Sequence, residues 1–224
     1  MRVTAEAKAE TRERIIQVAA KLFTTDGWNN TTTRGIASAA GIAAGTVFNY
    51  FESKEAIVAA LMSEALVEAQ DEVRKRHDDH DSIEEELFSL IWTELRSLRR
   101  FRSFLPAASQ TIFNPLRRSS EGSPGESLRA NHIEAVEQII AIHGVAAPHP
   151  LTMQLYWTLY LGVFAYWATD DSPKQEDTLA LLDQSLRLFV TAIQQNAEPE
   201  KSHEREPKRS HRRASAGTAR RRRK

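Results

Sequence analysis

The stretch Thr31–Lys54, TTTRGIASAAGIAAGTVFNYFESK, decides how this chain is read. It divides into two short helices joined by a tight turn. Thr32, Thr33 and Arg34 open the first, with hydroxyls where a helix start needs an acceptor for its free amides. Ile36, Ala37 and Ala40 then recur at helical spacing on one face. Gly41 follows, the residue that takes a left-handed backbone without a Cβ clash, and apolar Ile42 can plug the angle between the helices. A second short helix is expected over 44–50. Its small residues Ala43, Ala44 and Gly45 let its start approach another surface closely. Helix, glycine turn and short helix is the layout whose second helix enters the DNA major groove.

Such a helix reads base edges through short side chains on its exposed face, while neighbouring groups hold phosphates. The candidates for base reading are Thr46, Phe48 and Asn49, with Ala44 and Gly45 where the backbone itself comes close. Thr46 offers a hydroxyl or a methyl. Asn49 can pair with adenine through two hydrogen bonds or bond a phosphate. The candidate phosphate clamps are Thr32, Thr33, Arg34, Tyr50 and Lys54. Phe51 is assigned to the core, and Phe48 has both readings open, core and surface.

The wording of the motif is more specific than its spacing. GIAAGTVFNYFESKEAI closely resembles the recognition-helix segment of the TetR family of bacterial transcriptional regulators. The matching places are Gly41, Ala43-Ala44, Gly45-Thr46, Val47, Phe48-Asn49-Tyr50-Phe51 and Ser53-Lys54-Glu55. The likeness extends back through Thr31-Thr32 and Ile36-Ala37 to a first helix ending at Leu22-Phe23, before Asp26-Gly27-Trp28. Phe48 stands where that family usually has Tyr, and Ala43 where a Ser often caps the recognition helix. The resemblance implies an all-α fold of about nine helices. A three-helix DNA-binding domain over 1–54 would precede a helical ligand-binding and dimerisation domain over 55–196. It also implies that Tyr50 reaches a phosphate through its hydroxyl.

Composition is consistent with this. The chain has 224 residues, 41% hydrophobic and 27% charged, enough for a substantial core. It has no Cys, which excludes disulfide and thiol chemistry. Neither a signal-like N-terminus nor an apolar run of membrane-spanning length is visible, so a cytoplasmic protein with no membrane partner is expected. Net charge is zero but unevenly spread: residues 200–224 carry 11 Lys/Arg against 3 Asp/Glu, leaving the rest net acidic by 8. Residues 197–224 form a basic tail with no hydrophobic residue larger than Ala, too polar to fold alone. It either grips DNA phosphates non-specifically or is simply solvated.

The remaining chain reads as successive helices. Residues 1–8 are expected to form a loose arm, with a helix over 9–25 and Trp28 as a core anchor. A long helix follows Lys54 to about residue 75. His77-Asp78-Asp79-His80-Asp81 has metal-ligating residue types but fits a solvated turn better, and no metal or cofactor is expected. Ser82 to Glu85 forms a capping box that opens a helix to about 100. A further helix over 102–113 contains Pro106. Residues 114–125 are the loop of the body, and a helix over 126–143 ends at Gly144. LTMQLYWTLYLGVFAYWATDD is apolar nearly all round and should be buried on several sides. Ser172-Pro173-Lys174-Gln175 then supplies N-cap, N1 proline and N3 glutamine for a last helix to about 195.

That last pair of helices also resembles the C-terminal pair through which many TetR-type regulators dimerise. Its surplus of apolar surface fits a homodimer, or alternatively an unusually large monomer core. Phe88, Trp92, Phe104, Phe113, Met153, Tyr156, Trp157 and Tyr160, with His132 as a polar contact, are candidate lining for an apolar or aromatic small-molecule effector. Each has core packing as its ordinary role. Glycine-rich phosphate loops, nucleophile elbows and convincing metal spacings are missing, so the chain is not expected to be an enzyme. The expected function is a ligand-responsive regulator, a repressor by family resemblance, that binds a two-fold duplex operator as a homodimer. An all-helical interaction protein that has lost DNA reading is the alternative.

Overall fold

The computed structural model describes residues 4–113 and 123–197, except 77 and 79. Among these there are nine α-helices and no strand. They are α1 Ala5–Thr25, α2 Thr33–Ala39, α3 Ala44–Phe48, α4 Lys54–Lys75, α5 Ile83–Leu98, α6 Leu105–Ile112, α7 Pro124–Ile142, α8 Pro150–Thr169 and α9 Glu176–Ala197. The all-α expectation holds.

Local signals set most boundaries. Thr32 is extended and its hydroxyl accepts the Gly35 amide, starting α2. Gly41 ends the same helix at φ 67°. The Ile42 amide reaches back to the Ala37 carbonyl and the Gly41 amide to that of Ser38, a Schellman closure. The capping box of α5 is complete, Ser82 and Glu85 each satisfying the other's amide. Pro106 lies in the first turn of α6, where its missing N–H costs nothing, so it starts that helix rather than bending it.

Two expectations need correction. Residues 5–8 belong to α1, because the Thr4 hydroxyl caps the Ala7 amide and begins the helix earlier. The start of α9 is built differently from the sequence reading. Pro173–Gln175 forms a 3₁₀ turn with Lys174 and Gln175 at φ 55° and 59°. The Ser172 hydroxyl accepts the Asp177 amide at 3.2 Å, and the Asp170 carboxylate adds a second cap, accepting the amides of Ser172 and Thr178 at 2.8 and 3.0 Å and the Thr178 hydroxyl.

One continuous apolar core runs through the molecule. Around α1–α4 it contains Ile15, Phe23, Ile36, Val47 and Ile57. It continues through α4 and α5 into α7, α8 and α9 with Leu87, Leu95, Val136, Trp167 and Phe189. Trp28 is buried against Phe23, as anticipated. The basic tail and most of the 114–125 loop lie outside the described residues, as do two members of the His77–Asp81 cluster. No group of three or more metal-ligating side chains occurs among the described residues, nor a helix long and apolar enough to cross a membrane.

Candidate functional site

Helix α3 is five residues long, and Val47 is its buried residue. Val47 plugs into the core while Gly45, Phe48 and Asn49 face solvent. Ala44, Thr46 and Tyr50 are half-buried. The Phe48 ring is 52% exposed, which resolves its two readings in favour of the surface; Phe51, at 6%, is core. Thr32 and Arg34 are exposed at the rim formed by the start of α2, and Thr33 is half-buried there. Ala43 occupies the N-cap of α3 with no side-chain hydrogen bond, so its small methyl group leaves the start of α3 unobstructed.

Lys54 differs from the other proposed clamps. Its ammonium donates to the Trp28 carbonyl at 2.8 Å and to the Thr31 carbonyl at 3.3 Å. It also sits 4.1 Å from the centroid of the Trp28 ring. Two of its three donors therefore tie the start of α4 to the loop between α1 and α2. Arg12 is similarly engaged, paired with Glu64 at 2.7 Å and lying over the Phe51 ring. Beside it a cleft of about 520 Å³ separates Phe48, Asn49 and Tyr50 from α4 and from Pro124 and Leu128 of α7. The end of α3 thus adjoins the body directly.

The centre of the body holds a polar cluster in an apolar setting. Glu94 of α5 is 0% exposed and His132 of α7 is 1% exposed. His132 Nδ1 donates to the Glu94 carboxylate at 2.9 Å, and its Nε2 is 2.8 Å from the Tyr156 hydroxyl. Tyr160 donates to that same carboxylate oxygen, Oε2, at 3.4 Å, and half-buried Gln70 of α4 to the other, Oε1, at 3.2 Å. The His132 tautomer with its proton on Nδ1 suits this pairing, Nε2 then accepting from the Tyr156 hydroxyl. Burial, and then the Glu94 charge, push both tyrosine hydroxyls well above the ordinary phenol range. They therefore remain donors throughout the physiological range. Rings surround the cluster: His132 lies 4.0 Å from Tyr160 and 6.0 Å from Trp157, and Phe113 meets Trp157 and Phe164 edge-on.

Family models account for most of the chain. Residues 15–61 match the model of bacterial regulatory proteins of the tetR family, and residues 86–202 match the tetracyclin repressor-like C-terminal domain. The chain belongs to the TetR family. It is a TetR-family transcriptional regulator. Two similar curated proteins are the HTH-type transcriptional repressors KstR2 of Mycolicibacterium smegmatis and of Rhodococcus jostii. They are 36% identical over 63 residues and 43% over 51 residues. Those matches cover 28% and 23% of this chain, and 31% and 25% of the relatives. The chain thus spans less than a third of the length of the curated relatives it matches.

Solved structures with the same fold include the TetR-family repressor FadR of Thermus thermophilus in complex with lauroyl-CoA. It is 24% identical with a TM-score of 0.63, over 80% of this chain and 93% of that one. A TetR regulator from Rhodococcus sp. RHA1 has 17% identity and a TM-score of 0.65, over 82% and 97%. FadR of Bacillus subtilis in complex with stearoyl-CoA has 20% identity and 0.54, over 80% and 98%.

In this TetR-family regulator the residues named from sequence as effector lining do not form one group. His132, Tyr156, Trp157, Tyr160 and Phe113 come together. Met153 is buried on the same helix, and Trp92 is half-buried against the core. Phe104 instead packs on Phe23 and Phe101, at the seam between α1 and the body. Phe88 lines a surface groove with Glu84, Asp183 and Leu186. Sequence reading also missed Glu94 and Gln70. Glu94 had a visible signal: it falls in the helical series Leu87, Ile91, Glu94, Leu98, a charge at a core position. Gln70 had no comparable signal, since a half-buried amide on a long helix is ordinary.

Proposed function

We propose that this regulator is a repressor. In this reading it binds a palindromic operator as a homodimer and releases it when a small apolar or aromatic effector enters the body. The observation that carries the DNA reading is α3, anchored by buried Val47 with half-buried Ala44 and presenting Gly45, Phe48 and Asn49 outward, with Thr46 half-buried beside them. Thr32, Thr33, Arg34 and Tyr50 flank that face as phosphate contacts, and Ala44 and Gly45 admit the backbone close to the groove. Lys54 keeps its place in the interface as the residue that holds the α1–α2 loop, with one ammonium hydrogen left over.

A five-residue reading helix covers too little surface for specific affinity by itself, and a two-fold pair doubles it. Support for the pair comes from the uncovered apolar residues Leu151, Leu155 and Tyr166 of α8 and Leu188 of α9, between 43% and 72% exposed. Support for the effector comes from the aromatic cluster around His132 and from two structural neighbours with bound acyl-CoA molecules. Lauroyl-CoA is accordingly the first compound to test.

Selection of bound sequences from a random duplex pool by the full-length protein tests the reading. The expected product is a two-fold symmetric site, and Asn49→Ala should change the preferred base at one position per half-site. A pool that emerges without any sequence preference would overturn it.

A further inference from the structure

Residues 207–224 carry nine Lys/Arg and no Asp/Glu, whereas the residues before them hold 21 Lys/Arg against 30 Asp/Glu. Where this basic segment leaves the fold decides what it meets first. Helix α9 runs antiparallel to α8 and α5. Its start meets the end of α8 through Thr178 and Asp170, and Arg102, just after α5, donates to the Trp167 and Asp170 carbonyls. Farther along, Asp183, Leu186 and Arg187 lie beside the start of α5. Helix α5 in turn begins where α4 ends, and the 22 residues of α4 span about 33 Å from the DNA module. Ala197 therefore closes α9 at the end of the body farthest from α3.

A groove of about 570 Å³ opens at that same end. Buried Leu186 and half-buried Phe88 line it, together with the carboxylates of Glu84, Glu85 and Asp183. Arg187 lines it too and pairs with Asp183 at 2.7 Å, leaving three carboxylates to one guanidinium. Glu84 has no ion-pair partner among the described residues. Asp78 and Asp81 are exposed in the adjoining turn, and Arg74 and Arg76 nearby are taken by Asp71 and Glu72. An aromatic ring beside carboxylates suits arginine, whose planar guanidinium stacks on the ring while its N–H fork reaches oxygen. Leu181 and Leu188 lie on a different side of α9, so an occupant of the groove leaves them clear.

We propose that the basic segment Lys208–Arg213 of each chain docks in this groove of its own body, an intramolecular cover that holds the tail off DNA phosphates until a polyanion competes for it. The distances favour the body over DNA. From Leu186 to Ala197 is about 16 Å of helix, which five or six extended residues retrace. Ten residues lie between Ala197 and Lys208. Helix α3 is about twice as far. The pairs Lys208-Arg209 and Arg212-Arg213 supply the cations, with no acidic residue among them.

Carbodiimide joins an ammonium to a carboxylate only where the two touch, so it reads this contact in the full-length protein. At low salt Lys208 should form an amide with Glu84, Glu85 or Asp183, identified by mass spectrometry in a product that runs as a single chain on a denaturing gel. Its yield should fall severalfold in about 0.5 M NaCl, where exposed charges are screened, and on addition of a duplex of arbitrary sequence. Absence of the Lys208 linkage overturns the proposal, as does its even spread over exposed carboxylates elsewhere, such as Glu10 and Glu137. Products that join two chains place the tail on another copy and overturn the own-body assignment. Affinity supplies the second readout. Glu84→Gln combined with Asp183→Asn should tighten binding to that arbitrary duplex by about threefold or more, the scale that exposed ion pairs allow, and should steepen its salt dependence. The same pair of changes should give little of that gain once Lys208, Arg209, Arg212 and Arg213 are all replaced by Gln. An equal gain in both backgrounds means that the carboxylates merely repel DNA, and it overturns the docking.

Discussion

Lys54 shows how far a residue's role depends on what folding brings to it. In the sequence it is a cation beside a DNA-reading helix, and a phosphate clamp is the natural assignment. In the fold the Trp28 and Thr31 carbonyls converge on its ammonium and the indole lies beneath it. Lys54→Met should therefore destabilise the protein by about 2 kcal/mol, the scale of hydrogen bonds to a charged group, as measured by urea unfolding. The salt dependence of operator binding should keep its slope, whereas loss of a phosphate contact would reduce it by about one. Asp170 is the complementary case among the anions. Hydrogen bonds from Ser172 and Thr178 hold its carboxyl far below the ordinary value of 3.8. A depressed folded-state value contributes stability above the unfolded value and loses it as pH falls. The contribution is thus complete at neutral pH and fades below about pH 4. Asp170→Asn should lower the melting temperature at pH 7, with the gap to wild type narrowing in acid. Neither role is visible in the sequence: Lys54 depends on carbonyls of the distant α1–α2 loop, and Asp170 on the turn at 173–175 that brings the Thr178 amide back to it.

At the level of elements, the sequence was most informative where the signal is local. The Thr32 cap, the Gly41 closure and the Ser82–Glu85 box each lie within a few residues, and each helix start or stop followed. The α9 start is only half legible, because Ser172 accepts the Asp177 amide as its type suggests but Asp170, two residues earlier, takes the amides of Ser172 and Thr178. Effector lining was only partly legible for the same reason at longer range. Phe104 and Tyr160 look alike as buried aromatics, and only the packing separates a seam residue from a cluster residue. The junction of α6 and α7 provides a test at this scale. A Cβ on Gly125 would stand 2.3 Å from the Ile112 carbonyl oxygen, closer than backbone allows. Gly125→Ala should push the two helices apart and cost about 1–3 kcal/mol, as overpacking does. Hydrogen exchange should show the lost protection concentrated at the start of α7.

For the whole molecule the question is what covers α8. Leu151, Leu155, Gly162 and Tyr166 repeat at helical spacing along its exposed side, with Leu181 and Leu188 seven residues apart on neighbouring α9. A patch of this kind on two adjacent helices is the material of a helix–helix interface between copies, which needs roughly 1,000 Å² or more in total to be stable. Gly162 makes the test clean. A Cβ there meets nothing within 4 Å in the protomer, so a larger side chain fits the isolated chain. Replacing a helical glycine should even add about 0.5–1 kcal/mol of protomer stability. Gly162→Leu is therefore expected to fold at least as well as wild type while preventing close approach of a second α8. In analytical ultracentrifugation the wild-type chain should sediment as a dimer and the variant largely as a monomer. Operator affinity should then fall by about a hundredfold, because the second half-site is no longer bound from the same complex. A variant that stays dimeric with full affinity would place the two-fold axis away from α8, and the spacing of the two reading helices would have to be derived from another face.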